Sequence, residues 1–238
     1  MVVLASSFSA LAEEGAQDSS GTVAPDLEER LRRSLQAATA RLAPQKVGLL
    51  EWRPEDDSGL ELSDVIPVLE RLRGEGWFSA TSLRLSEGEA PRERSPAGSP
   101  QGRLYSGELS LLDHRRLSAL GGSAESGALG FFALDPFSRG RLDGSRFAGS
   151  VGERRPDAPP VSVRELRREF LPVVALDFLT TGRRRTLAQA SLQFLYRWPW
   201  LCSAFVPLPS PERLDELVGA EFTPPLTEDD VERVVGAR

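Results

Sequence analysis

Short runs rich in apolar residues recur along this chain, and stretches with apolar residues three or four apart separate them. Val2-Val3-Leu4-Ala5, Lys46 to Leu50 (KVGLL), Trp77 to Leu83, Leu104 to Leu112, Ala128 to Leu134 (ALGFFAL) and Ser203 to Val206 have the length and content of buried strands. Asp26 opens a helix to about Leu42, because Leu27, Leu31, Leu35, Ala38 and Leu42 fall on one face. Val65, Ile66, Leu69 and Leu72 give the next helix one apolar side, and Gly74 and Gly76 end it. Asp113 to Leu120 reads as a short helix. Ser162 and Glu165 have capping-box spacing ahead of Leu166, Phe170, Val173, Val174 and Leu176. Thr186 and Gln189 repeat the device ahead of Leu187, Ala190, Leu192, Phe194 and Leu195. Ser210-Pro211-Glu212 begins a helix with Ser as cap and Pro at its first position. Thr227 with Asp230 caps a final helix to about Val235.

Three stretches break the rhythm. Glu13 to Ala24 is small and polar, the composition of a loop. Residues 86–103 (SEGEAPRERSPAGSPQGR) hold nothing apolar larger than Ala, so they cannot offset their ordering entropy and are expected to form a mobile loop. Residues 148–161, with Pro156 and Pro160, read as a stiff linker inside the domain. Strands alternating with helices along nearly the whole length predict an α/β fold with a parallel sheet and crossover helices. No G-x-G-x-x-G turn follows the first strand and no phosphate-loop signature is present. The pattern therefore favours a β/α barrel of about six strands over a doubly wound sheet, with residues 1–238 as one domain.

Composition narrows the chemistry. With 238 residues, 40% of them hydrophobic, the chain can bury a real core. Its 29 Lys and Arg against 35 Asp and Glu give a net charge of −6, which disfavours nucleic-acid binding. The single Cys (Cys202) and single His (His114) exclude an intramolecular disulfide, a cysteine-rich zinc site and a multi-histidine metal site, so no metal is expected. No basic residue precedes the apolar start, and no segment has the length of a membrane span. The expectation is a cytoplasmic protein without membrane contact.

A few residues stand out chemically. Glu51, beside Trp52 at the carboxyl end of a strand, sits where barrel active sites gather, and a carboxylate against an indole can act as acid or base. The plainer reading is a surface carboxylate paired with Arg53. His114, between Asp113 and Arg115-Arg116, reads as an exposed residue at a helix start, and no Ser stands in a nucleophile elbow to use it. Arg183-Arg184-Arg185 reads as a solvated turn, with an acidic partner as the alternative. Trp198-Pro199-Trp200 either packs over the barrel floor or forms a contact patch.

Four passages in order resemble the aldo-keto reductase family: Val47 to Arg53 (VGLLEWR), Asp64 to Ser82 (DVIPVLERLRGEGWFSATS), Gly130 to Phe147 (GFFALDPFSRGRLDGSRF) and Thr186 to Leu217 (TLAQASLQFLYRWPWLCSAFVPLPSPERLDEL). The resemblance implies a TIM-type (β/α)8 barrel that reduces carbonyls with NADPH, using Tyr as acid supported by Lys, Asp and His. Carried over position by position, it implies a degenerate site. Val2 to Phe8 is similar to the third strand, and Ser7 holds the place of the Lys. Two strands, with the Asp and Tyr, would lie upstream of Met1, so that about six of eight strands remain. Glu51 holds the place of the His. Arg84 and Leu85 replace the Ser-Asn pair that holds the nicotinamide amide, and Ser106 and Leu109 replace the Gln and the stacking Tyr. At the far end of the cofactor site, Arg213 holds the place of the arginine on the adenosine phosphate, and Glu216 that of the glutamate on the adenine. The helix capped by Ser210 retains backbone amides for an anion. Leu208 and Leu217 depart from the family pattern there.

The resulting expectation is an aldo-keto-reductase-like partial barrel that has lost carbonyl reduction and acts structurally or in regulation. Open barrel edges would then invite a protein partner or a homodimer. The alternatives are an atypical NADPH-dependent oxidoreductase built on Glu51 or a partner chain, and a product without a selected role. A start site that omits the first two strands would restore Tyr and Asp but leave Ser7 and Glu51 unexplained.

Overall fold

The computed structural model describes residues 5–8, 23–42, 47–53, 62–86, 103–125, 129–145 and 163–236. The apolar run before Ala5, the cap at Ser162, the linker at 148–161 and all but the ends of the 86–103 loop lie outside them. The chain divides into two compact units, Met1–Gly107 with Ser118–Phe131, and Glu108–Leu117 with Phe132–Arg238.

In the first unit β1 (Ala5–Phe8), β2 (Val47–Trp52), β3 (Phe78–Arg84) and β4 (Arg103–Glu108) run parallel in sequence order. The next strand in the sheet is β5 (Leu129–Leu134). Parallel neighbours need crossovers; α1 (Val23–Leu42) and α2 (Leu62–Gly74) supply the first two, and α3 (Leu117–Glu125) precedes β5. Leu27, Leu31 and Leu35 of α1 are buried, as are Val65, Val68, Leu69 and Leu72 of α2. Val68, rather than the expected Ile66, completes the α2 stripe, because positions three and four residues from Val65 and Leu72 share one face. Helix α1 begins three residues before Asp26. Pro25 falls in its first turn, where a missing N–H leaves no bond unmade. Gly76, at φ +84°, ends α2 in the left-handed region, and Trp77 N–H closes the turn on Leu72 O at 3.2 Å. Arg32 of α1 donates to Glu28 at 2.8 Å and to Glu75 at 2.7 Å, and the Trp77 indole donates to Glu75 at 3.0 Å. These two donors, Arg32 first, hold the Glu75 carboxyl below its usual range.

The second unit carries the end of β5 and β6 (Leu201–Ala204), with α4 (Val163–Val174), α5 (Leu187–Tyr196), α6 (Pro211–Val218) and α7 (Glu228–Gly236). Phe205 N–H donates to Ala133 O at 2.9 Å, continuing the β5–β6 pairing. Helix α5 is its centre, with Ala188, Ala190, Leu192, Phe194 and Leu195 all buried. The His114 ring meets Phe194 edge-on at 6.0 Å and its Nδ1 lies 3.0 Å from Leu111 O, so His114 is half-buried rather than exposed. Trp198 packs edge-on against Phe194 and stacks on Trp200 at 5.9 Å, and Trp200 is buried. The two indoles therefore pack on the core of their own unit.

The expected caps form. Thr186 and Gln189 make a reciprocal capping box, Ser210 Oγ accepts from Arg213 N–H, and Thr227 and Asp230 exchange bonds of 2.9 and 3.1 Å. Arg183 donates to both oxygens of Asp230, at 2.7 and 3.0 Å, and Arg185 is buried with Nη1 on Gln193 at 2.6 Å. Two of the three arginines expected in a solvated turn are thus engaged, because the α7 cap presents a carboxylate to the first. Burial opposes ionisation of Asp230, but the Thr227 N–H and hydroxyl and the Arg183 guanidinium outweigh it, holding the carboxyl below its usual range. The expected helix at Asp113 starts four residues later, at Leu117, because Ser110 Oγ accepts from the N–H of Leu112 and Asp113 and fixes a turn there.

Six described strands stand against eight in a closed (β/α)8 barrel, and β1 and β6 each have a neighbour on one side only. The architecture is the expected incomplete α/β barrel. No described helix is long and apolar enough to cross a membrane.

Leu72, fully buried, should cost about 2–5 kcal/mol when cut to Ala, read by urea unfolding. Asp230 has a depressed folded pKa, so its contribution is complete above the unfolded value of about 3.9 and is lost as pH falls through the folded one. Unfolding free energy measured between pH 6 and about 2.5 should fall less steeply below pH 4 in Asp230→Asn than in the parent chain.

Candidate functional site

The sequence-expected residues fall into two clusters, one in each unit. In the first, Glu51 is the penultimate residue of β2, a strand whose other side chains are buried and apolar. The parallel register sets Ser7 and Ser82 opposite Glu51, and Arg84 opposite Ser106. Side chains two apart on a strand share a face, which brings Glu51, Arg53, Arg84 and Ser106 together. Glu51 is buried, 6% exposed. Its Oε1 accepts from Arg53 Nε at 2.8 Å and lies 3.6 Å from Arg84 Nη1, while Oε2 accepts the Ser106 hydroxyl. Pairing with Arg53 was expected at the surface; the carboxylate is instead interior, because Arg84 and Ser106 add the donors that burial requires. Both oxygens are engaged, so the group serves as an electrostatic anchor across three strands. Leu85 and Leu109 are buried apolar side chains.

In the second unit, Ser210 caps α6 and Pro211 starts it. Arg213, one turn in, is 14% exposed at its side chain. Its Nη1 pairs with Glu216, and its Nη2 donates to Asp143 O at 2.8 Å and lies 3.3 Å from Asp143 Oδ2. Glu216 also accepts the Thr186 hydroxyl at 2.6 Å, and its backbone carbonyl accepts Gln189 Nε2 at 2.8 Å. Gln193, one turn on, donates to Ala220 O and to Thr223 Oγ1, both at 2.9 Å. A Cβ at Gly219 would stand 3.0 Å from Gln189 Nε2, a tight contact that would press on the amide bonded to Glu216 O. Glu212, in the first turn, is held below the usual carboxylate range by the Ser210 hydroxyl and its own N–H.

Asp143 ends a strained loop. Asp135, Ser138 and Arg139 hold φ of 48°, 51° and 57°, values that L side chains rarely adopt. The Asp135 carboxylate accepts Arg139 N–H at 2.7 Å, and Ser138 bonds Ser110 at 2.6 Å. Arg213 therefore anchors the far end of this loop. Asp143 was not singled out from the sequence; an arginine with one glutamate three residues on gives no sign of a second partner. Among the described residues, no group of three His, Cys, Asp or Glu is placed to hold a metal ion.

No family model and no curated protein matches this sequence. Solved structures do match its fold. An aldo-keto reductase from Bacillus halodurans in its apo form aligns with a TM-score of 0.65 at 16% identity, covering 99% of this chain and 71% of that one. Its holo form aligns at 0.59 and 17%, covering 88% and 67%. A thermostable aldo-keto reductase in complex with the inhibitor epalrestat aligns at 0.62 and 15%, covering 88% of this chain and 66% of that one. The likeness is one of fold, with this chain spanning about two thirds of their length.

Removing the Glu51 carboxylate leaves two guanidinium groups and a hydroxyl without their acceptor. Glu51→Ala should destabilise the chain by about 2–3 kcal/mol, short of a fully buried pair because Arg53 and Arg84 reach water. Urea unfolding beside Glu51→Gln checks this, with Gln retaining part of the loss.

Proposed function

From the aldo-keto reductase fold of this chain, we propose that it no longer reduces carbonyls and serves a structural or regulatory role through protein contact. The observation that carries this reading is the saturation of Glu51, at the place where the fold's reductases keep their histidine. Its two oxygens are taken by Arg53, Arg84 and Ser106, leaving no group there to orient a carbonyl. Arg84 and Ser106, at two nicotinamide-contacting places, are spent on the same carboxylate.

The residues at the far end do not fit the adenosine phosphate of NADPH. Arg213 is paired with Asp143 and Glu216, and Glu212 puts a carboxylate in the first turn of α6, where a phosphate would bind. What these residues do is hold the fold: Glu51 ties β2 to β3 and β4, and Arg213 ties α6 to the 135–144 loop. Among the described residues β1 and β6 each lack a neighbour on one side, and an unpaired edge of this kind suits a partner strand.

NADPH titration of the purified chain, read by quenching of its four tryptophans, tests the reading together with an NADPH-consumption assay on a panel of aldehydes. The expected result is neither saturable quenching nor turnover. Saturable binding weakened by Arg213→Ala, with aldehyde-dependent oxidation of NADPH, would overturn it in favour of an atypical NADPH-dependent oxidoreductase.

A further inference from the structure

The second unit carries two exposed apolar surfaces of opposite charge. One is helix α4. Its Leu171 and Val174 are each 62% exposed, although the periodicity placed Val174 on the apolar face. Arg167 stands four residues before Leu171, Arg168 stands three before it, and Val174 follows three after. The four side chains form one stripe, basic at its amino end and apolar at its carboxyl end. Arg164, Arg167 and Arg168 are all exposed. The other surface is a groove of about 750 Å³ between α5 and α6, floored by Leu192 and rimmed by Tyr196, Leu208, Leu214 and Val218. Tyr196 is 60% exposed and Val218 54%. Glu221 lines the groove and is exposed, exposed Asp215 stands between Leu214 and Glu216 on α6, and the one basic lining residue, Arg197, is already bridged to Glu228.

We propose that the Arg167–Arg168–Leu171–Val174 stripe of α4 docks into the α5–α6 groove of a second copy of this chain. Charge complementarity selects this occupant. In a chain of net charge −6, α4 carries three exposed arginines, and the groove that matches its apolar stripe has Glu221 in its lining and exposed Asp215 beside Leu214 on α6. A helix laid in a groove uses side chains at three- and four-residue spacing, the pattern α4 displays. Leu171 and Val174 fill the apolar floor, and Arg167 and Arg168 face Asp215 and Glu221. Because helix and groove are different patches, the contact is heterologous: each copy offers both halves, so association extends head to tail. The charged rim makes it weaken with added salt. It uses neither the strand edges nor the Glu51 and Arg213 clusters, so it stands independently of whether NADPH binds.

Sedimentation velocity of the full chain over a rising concentration series tests this, at low and high salt. The expected result is association that grows with concentration and recedes in salt. R167E/R168E keeps an intact groove, and D215K/E221K keeps an intact helix. Each variant alone should remain monomeric, and their mixture should associate, because the basic α4 of the second meets the acidic groove of the first and the acidic α4 of the first meets the basic groove of the second. Leu171→Ser, at an exposed position, should abolish association without changing charge, while far-ultraviolet circular dichroism confirms that every variant is folded. A parent chain monomeric throughout would overturn the proposal. So would association of either double variant alone, or a mixture that stays monomeric.

Discussion

A polar stripe on a buried helix sets the geometry of the second unit. Thr186, Gln189 and Gln193 lie on one face of α5 and reach the segment from Glu216 to Thr223 through two side-chain amides and a hydroxyl. Carbonyls at the end of α6 and in the turn after it lack intrahelical donors, and these amides supply them. Each such bond adds only about 1 kcal/mol net, but leaving a buried partner unmade costs about 1–3 kcal/mol, so the arrangement is kept whole. Everything downstream follows. Glu216 is fixed by Thr186, Arg213 is fixed by Glu216, and the 135–144 loop is fixed by Arg213.

The first unit meets the same demand with charge. A parallel sheet covered by helices has little tolerance for a carboxylate, and Glu51 is admitted because two arginines and a serine converge on it. Catalysis needs groups with unmet valence facing a substrate. At Glu51 and Arg213 the polar groups meet one another's needs.

The parts of this structure governed by neighbours in sequence were legible. Strands β2, β3 and β5, the α2 ending and the caps at Thr186, Ser210 and Thr227 depend on residues within a turn of each other and appear where spacing placed them, whereas the strands expected at 104–112 and 203–206 form at 103–108 and 201–204. Pairings across the chain were not. Ser106 meets Glu51 from 55 residues away, Asp230 meets Arg183 from 47, and Asp143 meets Arg213 from 70. Periodicity says which face of an element is polar but nothing about which polar groups a tertiary fold brings opposite. The exposure of α4 escaped for the same reason: its spacing is that of a packed helix, and only the fold decides whether a partner covers it. Resemblance to a family supplied the architecture, and it marked Glu51, Arg84 and Ser106 by what they replaced and Arg213 by what it kept. It did not foresee that three of them share one ion-pair cluster.

Two indoles 5.9 Å apart and 22° from coplanar couple their electronic transitions. Trp198 and Trp200 therefore give the second unit an exciton signature in circular dichroism, whereas Trp52 and Trp77 belong to the first unit. The chain carries its own pair of optical labels. Melting of the second unit would erase the couplet, and loss of the first would register through the emission of the remaining tryptophans. The order in which the two units come apart can thus be followed without attaching a dye.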